Sequence, residues 1–127
     1  MNLEKVVFGF FIVLALTLNF GFFVGEIDNP HHHNVYELFA AIVVNLIATV
    51  LKFGDRTQMG AVLLATSLVA DLQLLAAAVI WGFAWQVTDA GISPGTMSSI
   101  VSLAGGAMLA NVTSVTLLIA ETVNLRR

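Results

Sequence analysis

Apolar residues run through this chain in four long blocks, about residues 3–25, 35–53, 57–85 and 97–123, separated by short polar connections. Each block meets or nearly meets the roughly 20 residues that an α-helix needs to cross a hydrocarbon core of about 30 Å. The pattern predicts an all-α protein: a polytopic membrane bundle of four transmembrane helices in a single domain over residues 1–127. The connections carry helix-boundary chemistry. Asn34 with Glu37 three positions later has the spacing of an N-cap and its N3 acid at the start of helix two. Gly54 fits a C-cap and Asp55 an N-cap, which makes a tight turn between helices two and three. Ser93-Pro94-Gly95-Thr96 reads as a turn leading into helix four. Lys5 ahead of the first block imitates a secretory signal. The apolar run is too long for a signal core, however, and no small-residue cleavage site follows, so the block is read as a retained helix.

Composition agrees with that reading and narrows the chemistry. Only 10% of the residues are charged, against roughly 25% in a soluble domain, and the mean hydropathy is +0.93. The chain has no cysteine, which removes disulfides and thiolate metal sites from consideration. No basic patch lies outside the turns of one side, so nucleic acid is not an expected partner. No nucleophile elbow, phosphate loop or paired metalloprotease histidines occur, so neither an enzyme nor a cofactor is expected.

Charge fixes the expected topology. If the four blocks alternate across a bilayer, Lys5, Lys52, Arg56, Arg126 and Arg127 all fall on one side. The positive-inside rule places that side, with both the N and C termini, in the cytoplasm. The opposite side holds Glu26, Asp28, Glu37 and Asp89 and no Lys or Arg. A one-signed rim concentrates cations at a pore mouth; the same asymmetry also follows from insertion orientation alone. Trp81, Trp85 and Tyr36 lie at that outer level, where amphipathic rings favour the headgroup region. Across its whole length the arrangement resembles small bacterial four-helix inner-membrane proteins of unknown function. The resemblance implies a multi-pass protein of the bacterial inner membrane and assigns no residue a role.

The candidate chemistry lies at mid-depth. Asp71 sits near the middle of helix three with no basic residue at its level, and an ionised acid at a bilayer centre costs roughly 2.5–3.5 kcal/mol on insertion scales. Asn45 and Asn111 fall near the midpoints of helices two and four, and Ser67 and Ser114 lie one turn from Asp71 and Asn111. These oxygens suit a hard cation such as a monovalent ion. An acid without a basic partner can instead hold and pass a proton, or serve as hydrogen-bonded glue between helices. Gln73, two positions along, points away from this layer, in the direction of a neighbouring subunit. Helix four also carries Ser98, Ser102, Gly106, Ala110 and Ser114, small residues at every fourth position that let another helix approach closely, within the chain or from a second subunit. In the outer loop, His31, His32 and His33 near Glu26 and Asp28 are a candidate metal or pH site, although consecutive histidines cannot all face one ion.

These features together predict a homo-oligomeric membrane protein that handles cations or protons, in the manner of a channel or transporter. The competing expectation is a non-transporting accessory or scaffold subunit of a larger membrane complex.

Overall fold

The computed structural model describes residues 3–25, 33–87 and 92–125. The described residues form four α-helices: α1 (Leu3–Phe23), α2 (Val35–Lys52), α3 (Gln58–Val87) and α4 (Pro94–Leu125). All four are long and apolar enough to cross a membrane. At 1.5 Å per residue, α1 is about 31 Å long and α3 about 45 Å.

The boundaries follow from local hydrogen bonding. The Asn34 side chain accepts from Tyr36 N at 2.8 Å and so caps α2, as its position in the sequence predicts. Gly54 takes a positive φ of 87° just beyond α2, where a side chain would be strained. The cap expected of Asp55 is divided between two residues. Asp55 accepts from Thr57 N (3.0 Å) and Thr57 Oγ1 (2.7 Å), and Thr57 Oγ1 in turn accepts from Gly60 N at 2.9 Å. Helix four begins at Pro94, three residues before the predicted start. Ser93 supplies the cap, its Oγ accepting from Thr96 N at 3.2 Å. Pro94 is favoured as the first helical residue because its missing N–H leaves no donor to satisfy.

Each helix packs on its sequence neighbours, and α1 closes the ring against α4. The end carrying Lys5, Lys52 and Arg56 is called here the basic end. Alanines fill the contacts: Ala15, Ala41, Ala48, Ala70, Ala77, Ala104 and Ala107 are fully buried. Small residues let backbones approach where lipid removes any hydrophobic drive between helices. Asn19 ties α1 to α4, its amide donating to Ala104 O (3.1 Å) and accepting from Met108 N (3.0 Å). Lys5 pairs with Glu121 at 3.0 Å at the basic end of the same two helices.

Large apolar side chains cover the outer face of the bundle, and several polar ones are buried within its largely apolar interior. Leu72, Val79, Phe83 and Leu109 face outward, each at least 65% exposed, while Asn19, Asn45, Ser67, Asp71, Asn111 and Ser114 are buried. Tyr36 and Trp85 are exposed toward the end opposite the basic one, and Trp81 turns inward to meet Phe22, with ring centroids 6.1 Å apart.

Inside the ring the apolar core is divided in two. A small cluster of Phe8, Ile12, Ala48 and Leu63 lies toward the basic end. A larger one runs from Ala70 to Ala77 on α3 and from Met97 to Ala107 on α4, joined by Phe22, Leu38, Ala41 and Ile42. Between them α2, α3 and α4 place polar side chains.

Candidate functional site

Helix periodicity brings the polar side chains together. Asn45 and Thr49 are four apart on α2, as are Ser67 and Asp71 on α3, so each pair lies on one face. These faces meet. Asn45 Nδ2 donates to Asp71 Oδ1 at 2.6 Å and to Ser67 O at 3.3 Å. Thr49 Oγ1 lies 2.5 Å from Asp71 Oδ2 and 3.0 Å from Asn45 O. Asp71 itself is 6% exposed. The described ion pairs, Lys5 with Glu121 and Lys52 with Asp55, involve other acids.

Counting hydrogens on this cluster is informative. A threonine hydroxyl carries one hydrogen and can accept others. Thr49 Oγ1 has two oxygen neighbours within bonding distance, and its one hydrogen is either shared between them or turned to one. A protonated Asp71 would donate to Thr49 and leave the Thr49 hydrogen to Asn45 O. With Asp71 ionised, the Thr49 hydrogen turns to the carboxylate and the Asn45 carbonyl loses it. The cluster thus has two hydrogen-bonding arrangements that differ by one proton.

Helix four completes the layer without bonding to Asp71. Ser114 is fully buried and shares a 2.5 Å hydrogen bond with Thr66 of α3. Asn111, one turn further along, is also fully buried, and neither its amide nitrogen nor its oxygen has a partner among the described residues. Asn45 Oδ1 and Ser67 Oγ are buried and unpartnered as well. An unpaired buried polar atom costs about 1–3 kcal/mol.

Of the residues the sequence nominated for this site, Asp71, Asn45 and Ser67 are in direct contact. Asn111 shares their burial, and Ser114 bonds instead to Thr66. Two contributors were not nominated, Thr49 and Thr66. The signal for Thr49 was its four-residue spacing from Asn45.

The small-residue stripe of α4 is not one continuous contact. Ser98 is half-buried, Ser102 exposed, Gly106 covered by the Gln73 amide, Ala110 half-buried against the core, and Ser114 fully buried. A four-residue repeat advances about 40° per step around a helix of 3.6 residues per turn, so five positions wind about 160°. The stripe passes from the surface into the core. Gln73 accordingly packs against α4 of its own chain, and the expectation that it points to a neighbouring subunit is corrected.

Of the outer-loop histidine site, His31, His32, Glu26 and Asp28 lie outside the described residues. His33 is buried, with Nδ1 donating to Phe22 O at 2.6 Å and its ring 5.5 Å from that of Phe22. His33 of this candidate site thus closes that end of the bundle against Phe22. Among the described residues no group of three His, Cys, Asp or Glu is placed to hold a metal ion.

At the basic end a cavity of about 820 Å³ opens between the helix ends, lined by Lys5, Lys52, Asp55, Leu63 and Glu121 among others. Lys52 is nearly buried, with its ammonium 3.4 Å from Asp55 and 4.4 Å above the Phe8 ring. The Thr57 backbone N–H holds the Asp55 carboxyl below the usual carboxylate range, with help from the Thr57 hydroxyl and Lys52.

Residues 32–122 match the model of a family described as "Family of unknown function (DUF6394)". The chain belongs to that family. The matched stretch includes Asn45, Thr49, Ser67, Asp71, Asn111 and Ser114, and leaves out α1. No curated protein and no solved structure matches the chain.

Proposed function

We propose that this member of a family of unknown function is a multi-pass protein of the bacterial inner membrane, with both termini in the cytoplasm, that handles protons or monovalent cations at Asp71. The observation that carries the reading is the buried Asp71 carboxyl, bonded by Asn45 and Thr49. Intramembrane acids are costly to maintain and mark ion or proton pathways. Hydrogen counting at Thr49 favours the proton as cargo, because the cluster accommodates its gain and loss by turning one hydroxyl. Asn111 and Ser67 supply further polar groups in the same layer.

A homo-oligomer is part of the proposal, with the contact on the surface half of the α4 stripe at Ser98 and Ser102. The same exposed segment favours a second reading, an accessory subunit docked on a larger membrane complex.

Reconstitution into liposomes separates the two. Proton, sodium and potassium fluxes are measured for wild type and Asp71→Asn. Proton flux abolished by the substitution, at unchanged oligomer size, supports the proton pathway. No flux from either protein under imposed voltage and pH gradients favours the accessory subunit.

A further inference from the structure

We infer that the Asp71 layer is reached from the basic end alone, through the 820 Å³ cavity and across a single apolar turn. This deepens the reading of Asp71 as a proton or cation site and rests on it for its significance. The cavity and the layer share a wall. Leu63 lines the cavity and also belongs to the small apolar cluster with Phe8, Ile12 and Ala48. Ser67, whose hydroxyl is buried and unpartnered, lies four residues further along α3, a rise of about 6 Å. About one layer of side chains therefore separates Leu63 of the cavity lining from Ser67 of the site.

The opposite direction is closed to a much greater depth. From Asp71 to Trp81 is ten residues of α3, a rise of about 15 Å, and the large apolar cluster fills the ring over that span. Beyond it, Phe22, His33 and Trp81 pack together across the end. The thin barrier is also tied to the turn between α2 and α3. Its Phe8 ring is covered by the Lys52 ammonium, which is tethered to Asp55 in the turn between α2 and α3. Lys52 lies on α2 three residues from Thr49, so motion of that turn reaches both the barrier and the site.

The test uses the absence of cysteine from the chain. Single cysteines are introduced as Leu63→Cys, Ser67→Cys and Leu74→Cys, descending the buried face of α3, with exposed Arg56→Cys marking which vesicle face is the basic end. A small cationic methanethiosulfonate is applied to right-side-out and inverted vesicles, after size-exclusion shows each variant folded like wild type. The expected result is modification of Leu63→Cys and, more slowly, Ser67→Cys from the basic side, faster by about tenfold or more than from the far side, with Leu74→Cys at background from both. Adding Leu63→Ala to Ser67→Cys should speed modification from the basic side only. Equal rates from both sides, faster modification from the far side, or no modification of Ser67→Cys even with Leu63→Ala overturns the inference. The readout is access and not flux. Basic-side access in a protein whose proton flux ignores Asp71→Asn would leave this inference standing and remove the proposed function.

Discussion

Replacing Thr49 with valine keeps the shape of the side chain and removes only its hydroxyl, which makes it the sharpest probe of the Asp71 cluster. The hydroxyl reaches Asp71 Oδ2 at 2.5 Å and Asn45 O at 3.0 Å. Hydrogen bonds between membrane helices average about 0.6 kcal/mol and reach about 1.7. Thr49→Val also leaves an Asp71 oxygen buried without its partner, and an orphaned group of this kind costs about 1–3 kcal/mol. The sum of a modest lost bond and a partly relieved orphan places the expected destabilisation at about 1–2 kcal/mol, with Thr49→Ser within about 0.5. Equilibrium unfolding in mixed micelles measures it. The companion variants Asp71→Ala and Thr49→Val/Asp71→Ala complete a double-mutant cycle. Once Asp71 is gone the valine has nothing to orphan, so the coupling energy should be about 1 kcal/mol. A coupling of zero, with Thr49→Val as stable as wild type, would refute the bonding scheme from which the two-state hydrogen count is drawn.

The remaining predictions concern the turn and the α1–α4 contact. Asp55 is held below the usual carboxylate range in the folded protein, so its stabilisation is present above its unfolded value near 3.9 and is lost as pH falls through the folded one. Thermal unfolding should therefore show an acid-side loss below about pH 4 that Asp55→Asn makes smaller, and an unchanged acid profile in that variant would contradict the assignment. Gly105 faces the Phe23 ring so closely that an added Cβ would fall 2.7 Å from Cε2, whereas at Gly106 it would meet the movable amide of Gln73. Overpacking costs about 1–3 kcal/mol and a helical Gly→Ala gains up to about 1, so Gly105→Ala should be destabilising by about 1 kcal/mol and Gly106→Ala near neutral. Equal effects in the unfolding assay would show that the Phe23 contact is not rigid.

The helices were legible because blocks of about 20 apolar residues have the length and composition of membrane-spanning helices, in which each amide bonds within its own segment. The meeting of Asn45 with Asp71 was legible for a related reason. In a hairpin with a short turn, residues at equal depth on adjacent helices become neighbours, and an amide and an acid at mid-depth have little else to bond. Threonines carry no such signal. Thr113 and Thr122 bond the carbonyl four residues back on their own helix, and Thr17 the carbonyl three back. A threonine in an apolar helix can always satisfy itself in this way, so the spacing from Asn45 is a weak mark for Thr49, and nothing in the sequence marks Thr66. The burial of His33 was not legible because the burial of a loop residue depends on what the helix ends leave open, here a space beside Phe22. The α4 stripe was overread because spacing by four was taken as one face, and the drift of the helix carries its inner end into the core.

The central claim is that Asp71 carries the proton. It is tested most directly by the initial rate of proton uptake into liposomes at a fixed potassium diffusion potential, comparing wild type with Asp71→Asn. The account predicts uptake above the protein-free rate for wild type and a return to that rate for the variant, with folding and oligomer size preserved. Undiminished uptake by Asp71→Asn would contradict it, since asparagine keeps the hydrogen bonds of the neutral acid and has no proton to release.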